Sequence, residues 1–91
     1  MLPIAWSAAA LDDLDNIIDY IADHDGQAAI AMHNLIESSV LPASDYPYLY
    51  KPGRVPGTRE IVAHPNYIIV YEVRADHIEI MAVLHARQEY P

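Results

Sequence analysis

The spacing of apolar residues changes part-way along this chain, and a run of prolines marks the change. Leu11, Leu14, Ile17, Ile18, Ile21 and Ala22 recur at helical spacing, with Asp12, Asp15, Asp19 and Asp23 on the opposite side. Ser7 is placed to cap this helix, since its hydroxyl can accept from the free amides of a first turn. Asp25-Gly26 breaks it and opens a second helix through Ala29, Met32, Leu35, Ile36 and Val40, which Pro42 is expected to stop. Two helices with so short a break form an antiparallel hairpin. After the prolines the pattern becomes that of strands, over segments 58–62, 67–73 and 77–87.

Between these halves, Pro42, Pro47, Pro52 and Pro56, with Gly53 and Gly57, are expected to exclude regular structure. Tyr46, Tyr48, Leu49 and Tyr50 would anchor this loop by burying their rings. His64-Pro65-Asn66 turns the first strand pair, with Asn66 able to take a left-handed conformation. Arg74-Ala75-Asp76-His77 turns the second pair. That register sets Tyr71 opposite Ile80, Ile69 opposite Ala82 and Glu72 opposite Glu79, a like-charge pair that Arg74 can relieve. Tyr67, Ile69, Tyr71, Val73, Ile78, Ile80, Ala82 and Leu84 would then face the helices. Ile68, Val70, Met81 and Val83 would form an uncovered apolar strip on the other side, which invites a partner. With Leu2–Trp6 as a short first strand, the expected class is α+β. An N-terminal strand and an αα-hairpin pack on one face of an antiparallel sheet, whose C-terminal part is a three-stranded meander.

Ninety-one residues suit one domain, 1–91, burying about two thirds of its unfolded surface. A content of 53% hydrophobic and 20% charged residues is that of a globular protein and argues against disorder. No run reaches the roughly 18 apolar residues of a membrane span. The start, Met1-Leu2-Pro3-Ile4-Ala5-Trp6, lacks a cationic segment, so export is not expected and the cytoplasm is the default location. There is no cysteine, hence no disulfide and no thiolate site. His24 and His33 lie on separate helices without a third ligand at metal spacing, so neither metal nor cofactor is expected.

The net charge is −8, unevenly distributed. Residues 1–50 hold Asp12, Asp13, Asp15, Asp19, Asp23, Asp25, Glu37 and Asp45 and no Lys or Arg, whereas residues 51–91 balance five acids with five bases. That balance lowers the expectation of a nucleic-acid partner, because such binders neutralise phosphates with Lys and Arg. Cations confined to the strand-rich segment suggest a working surface there, although edge charges also discourage strand pairing.

Several segments then carry a resemblance. They are Tyr48-Leu49-Tyr50, Gly53-Arg54-Val55-Pro56-Gly57-Thr58-Arg59-Glu60, His64-Pro65-Asn66-Tyr67, Val70-Tyr71 and Val83-Leu84-His85-Ala86-Arg87-Gln88. In their order along strand, hairpin, loop and meander, they resemble the RelE/ParE superfamily of type II toxin–antitoxin toxins, in particular plasmid-stabilisation toxins of RelE/StbE type. The resemblance covers essentially the whole chain. It implies a growth-arresting toxin neutralised by a cognate antitoxin, in a hetero-oligomer with it. The target it implies is either DNA gyrase, inhibited without catalysis as by ParE-like members, or ribosome-bound mRNA, cut by RelE-like members.

As a nuclease the chain would be a metal-independent endoribonuclease. The resemblance implies Arg59, His85, Arg87 and Tyr90 as its catalytic residues. His85 could serve as acid or base, Arg87 could pair a phosphate bidentately, and Tyr90 could donate a proton or stack on a base. Ordinary roles stand beside these: a hydrogen-bonded surface histidine, an Arg87 ion pair with Glu89 or Glu60, and a frayed tail. RelE-like members carry further arginines on the outward face, but here Ile61 and Ile68 stand at those places. The gyrase reading is therefore preferred. The alternatives are the mRNA endonuclease and a non-toxic module that only binds antitoxin. The antitoxin is expected to lie on Ile68, Val70, Met81 and Val83, with a basic stretch near Asp12, Asp15, Asp19 and Asp23.

Overall fold

Ser7 joins the two halves of the molecule. In the computed structural model, which describes residues 1–90, its hydroxyl accepts from the Ala10 amide (3.0 Å) and caps α1 (Ala8–Ala22). The same hydroxyl donates to the Met81 carbonyl (3.3 Å), and the Ser7 amide donates to that of Ile80 (3.0 Å). Just before it, β1 (Ile4–Trp6) runs parallel to the start of β4 (Ile78–His85), with Trp6 opposite Ile80. β1 is only three residues long, so α1 takes over the rest of that edge. The Asp13 carboxylate accepts the Val83 amide at 3.0 Å. An amide left open on a sheet edge is thereby satisfied.

The Asp25 carboxylate caps α2 (Gly26–Ser39), accepting from the amides of Gln27 and Ala28 at 3.1 Å. Pro42 begins a helix as well as following one. It occupies the first turn of a short α3 (Leu41–Asp45), where a missing amide leaves no bond unmade. The expectation of an irregular segment from residue 42 therefore fails for its first four residues. The chain then continues through a loop to β2 (Thr58–His64) and β3 (Tyr67–Val73). The four-stranded sheet has the order β1-β4-β3-β2 and is mixed, with an antiparallel β2-β3-β4 meander.

Tyr71 and Ile80 are fully buried opposite one another, as the turn predicted. One residue further the register shifts: Val70 faces Ala82 and Ile69 faces Val83, so Met81 is an extra residue in β4. A one-residue slip exchanges the faces of a strand. Val83 accordingly joins Ile69, Tyr71, Ile78 and Ile80 in the core with Leu14, Ile36 and Val40, while Ala82 and Leu84 are only half-buried. On α1, Ala10 takes the buried place expected of Leu11, which is 46% exposed.

The loop packs differently from expectation. Tyr46, Tyr48 and Leu49 are exposed, and Tyr50 alone of the four is half-buried, edge-on to Tyr71. The anchors are backbone carbonyls: Pro47 accepts from the Tyr71 hydroxyl (2.6 Å) and Tyr50 from Arg59 (2.6 Å). Gly53 lies where a Cβ would come within 2.2 Å of the Thr58 hydroxyl, and Gly57 has φ +86°. Both are needed for the loop to fold back on β2. Asn66 does not take the left-handed conformation; its amide bonds instead to His64 Nδ1 at 3.0 Å.

The bulge makes a stability prediction. Ile80→Ala should cost about 2–5 kcal/mol, as deletion of a buried isoleucine side chain does, and Leu84→Ala clearly less. Chemical denaturation would read both; equal losses would contradict the register.

Candidate functional site

The meander brings the four expected catalytic residues to three separate places. Arg59 and Glu60 are neighbours on β2 and so point to opposite faces of the sheet. Arg59 lies over the Tyr48 ring, its guanidinium carbon 4.9 Å from the centroid, and donates to the carbonyls of Tyr50 (2.6 Å) and Tyr48 (3.4 Å). It holds the loop and lines a small depression of about 240 Å³ with Tyr48, Pro52, Thr58 and Val73.

On the opposite face, Glu60 is buried to 3% exposure and gathers the cations around it. Lys51 and Arg54 each approach its carboxylate at 3.6 Å, the Arg54 amide donates to it (3.2 Å), and the Tyr90 hydroxyl donates to the same oxygen. The Arg54 guanidinium lies 4.5 Å from the Tyr90 ring centre. Burial pushes the Glu60 carboxyl up, but the Tyr90 hydroxyl, the Arg54 amide and the two cations outweigh it and leave its pKa below 4.5. Burial and the Glu60 hydrogen bond raise the Tyr90 phenol to about 12. Tyr90 is thus a fastener for the C-terminal tail rather than a frayed end.

The tail's attachment accompanies a correction. Ile68, Val70, Met81 and Val83 were expected to form an open strip. Ile68 and Val70 are 7% and 4% exposed, although they lie outside the main core, and Val83 has passed to the core face through the bulge. Only Met81 of the four is partly open. Val62, 61% exposed on β2, is the large apolar side chain left bare on the meander.

His85 and Arg87 stand together at the end of β4. The Arg87 amide donates to His85 Nδ1 at 3.1 Å, which places the proton of the neutral imidazole on Nε2. The ring packs edge-on against Tyr67, centroids 5.6 Å apart, beside a groove of about 570 Å³ that Asn16, Tyr20 and Asn66 also line. Arg87 itself is exposed and, among the described residues, makes no ion pair with Glu89, Glu60 or any other acid.

Two groupings escaped sequence reasoning. Glu60 with Lys51, Arg54 and Tyr90 is one; its sequence signal was a lone acid in a strand a few residues after two bases. The other is at the β3–β4 turn, where His77 is held between Asp76 (Nδ1, 2.7 Å) and Glu79 (Nε2, 2.8 Å), beside the expected pairing of Arg74 with Glu72 at 3.2 Å. These partners relieve the Glu72–Glu79 pairing, which is present as expected. His24 and His33 sit apart, on the Tyr20 carbonyl and on Glu37.

Hydrogen bonds donated to the Asp76 and then the Glu79 carboxylate raise the His77 pKa above 6.5. A raised histidine stabilises the fold fully below its unfolded value, and the contribution is lost as pH rises through the folded one. An NMR titration should therefore give a His77 midpoint above 6.5, falling in Asp76→Asn; a midpoint unmoved by that change would break the assignment.

Comparison with known proteins adds to this geometry. Residues 4–90 match the family described as ParE toxin of type II toxin–antitoxin system, parDE. The chain is 40% identical over 89 residues to the candidate toxin Y4kP of Sinorhizobium fredii, covering 97% of this chain and 92% of that one. It is 32% identical over 88 residues to toxin RelE2 of Caulobacter vibrioides, covering 94% and 97%. A solved structure of a chromosomal ParDE toxin–antitoxin system from P. aeruginosa superposes with a TM-score of 0.83 at 24% identity, covering 93% of this chain and 96% of that one, which shows a common fold.

Proposed function

The chain belongs to the ParE family of type II toxin–antitoxin toxins, and on that premise we propose that it arrests growth by binding DNA gyrase without catalysis and is neutralised by a cognate antitoxin. The fate of its five cations carries this reading. Lys51 and Arg54 are paired with Glu60, Arg74 with Glu72, and Arg59 is held by loop carbonyls. Arg87 remains. A ribonuclease must stabilise a phosphorane-like transition state with several aimed donors, and one guanidinium is a meagre supply.

The proton-transfer groups support the same reading. His85 offers a donor at Nε2, since Nδ1 accepts from the backbone, and Tyr90 is bonded to a carboxylate with its pKa raised to about 12. A protein inhibitor needs neither. It needs a shaped surface with an energetic anchor, and an exposed arginine with no ion pair among the described residues is suited to that role. The antitoxin in this reading follows from membership of a family defined by toxin–antitoxin pairs, as in the P. aeruginosa ParDE system.

The test is to induce the chain alone in cells while following DNA-damage signalling and mRNA 5′ ends together. Damage signalling with uncut mRNA is expected, with Arg87→Ala impairing toxicity more than His85→Gln. General acid–base catalysis contributes about 100- to 10,000-fold. Codon-phased cuts, with toxicity abolished in a folded, antitoxin-binding His85→Gln, would replace this reading with the mRNA endonuclease. Normal growth on induction would leave the non-toxic antitoxin-binding module.

A further inference from the structure

The tyrosine-rich loop after α3 is built inside out. Tyr46, Tyr48 and Leu49, three large side chains within four consecutive residues, are 65%, 66% and 68% exposed. The loop is held by its backbone instead. The Pro47 carbonyl accepts from the buried Tyr71 hydroxyl, and those of Tyr48 and Tyr50 accept from Arg59. The Tyr46 amide donates to the Pro42 carbonyl at 2.9 Å, and the Leu49 amide to that of Tyr46 at 3.1 Å. Arg59 also lies over the Tyr48 ring and steadies it. Pro47 and Pro52 restrict the chain further. A loop fixed through its carbonyls presents its apolar side chains already ordered, so a partner that covers them meets little entropic cost. Neighbouring exposed rings of this kind mark an interaction site more often than scattered ones do.

Composition and charge define the occupant. Tyrosine and arginine are the side chains that most often anchor protein interfaces. Lys51, Arg54 and Arg59, three of the five cations, stand within nine residues, and Glu60 is the one acid in segment 46–60. The loop is thus the basic end of an acidic chain and fits an acidic protein surface. Single-stranded nucleic acid also takes tyrosines and cations, but a net charge of −8 repels phosphates, and Lys51 and Arg54 already share Glu60. We propose that Tyr46, Tyr48 and Leu49 are a contact by which this chain grips the protein target of its growth arrest, entering an apolar depression bordered by acidic side chains. This rests on the gyrase reading above and deepens it, giving the target contact an apolar anchor besides Arg87.

The probe is purified gyrase holoenzyme with DNA, and the measurements are affinity, association rate and inhibition of supercoiling. Tyr46→Ser/Leu49→Ser removes two exposed side chains and spares the backbone bonds of the loop. It should weaken gyrase binding and inhibition about 30-fold or more, with thermal melting unchanged. Its affinity for the antitoxin encoded beside this chain should stay within about twofold. Ile30→Ser, equally exposed on α2, should leave gyrase inhibition within about twofold. Lys51→Gln should slow association with gyrase about threefold or more at low salt. The chain has no cysteine, so a photo-crosslinker on Leu49→Cys reports one place; it should couple to a gyrase subunit, and one on Ile30→Cys should not. Full inhibition by the double variant would overturn the loop contact while leaving the gyrase reading intact. An unchanged rate in Lys51→Gln would overturn the acidic border. An equal loss of antitoxin affinity would assign the loop to the antitoxin and overturn the proposal. So would binding of a single-stranded oligonucleotide, or dimerisation of the chain, that the double variant abolishes while gyrase binding persists. A wild-type chain that neither binds nor inhibits gyrase would remove both this inference and the reading beneath it.

Discussion

A carboxylate buried in the middle of a strand needs partners, and much of this molecule's arrangement follows from supplying them to Glu60. An isolated buried charge costs several kcal/mol even after relaxation, so its neighbours must be brought to it. Lys51 and Arg54 come from the loop, and Tyr90 comes from the tail thirty residues away. Gly53 permits the close approach that aligns the loop along β2, where its amide donates to the Thr58 carbonyl at 2.8 Å. One acid thereby fixes the loop and the tail against the same sheet face.

β4 imposes a second constraint because it is both central and irregular. It pairs with β3 on one side and gives its other edge first to β1, then to Ser7 and Asp13 of the first helix. The bulge at Met81 lets the strand change face where this edge partner changes. A short parallel strand and a helix can then share one edge without leaving buried amides unpaired. Asp13, one of the acids of the first helix, serves the sheet by accepting the Val83 amide.

Local chemistry was legible from the sequence, and distant pairing was not. Ser7 and Asp25 cap helices because a short polar side chain before an apolar period has few other uses there. The β3–β4 turn set Tyr71 against Ile80 because register near a turn is fixed by loop length. Beyond the turn, nothing in the alternation of β4 announces an extra residue, since Ala82, Val83 and Leu84 are all apolar and fit either face. The loop misled for a related reason: tyrosines suggest anchors, but the carbonyls of Pro47 and Tyr50 hold it, and backbone groups have no residue signature. The candidate site was legible only as an inventory. That Tyr90 meets Glu60 rather than His85 depends on a tail crossing the sheet, which no spacing rule conveys.

Charge pairing in residues 51–91 explains why Arg87 is left over. Five acids face five bases in that segment, so complete pairing was available by number. Geometry distributes them otherwise. Glu60 draws two cations, Arg74 serves Glu72, and Asp76 with Glu79 share His77. Arg59 is taken by backbone carbonyls, which carry no formal charge. An exposed ion pair is worth only about 0–1 kcal/mol, so nothing compels Arg87 to close onto Glu89. What this end of the molecule presents is therefore a guanidinium with no ion pair among the described residues, in the turn just after β4, beside the His85 imidazole whose Nδ1 accepts the Arg87 amide. Shape and a single charge can recognise a protein surface with that equipment. Four of the five Lys and Arg side chains also make contacts that hold the fold together.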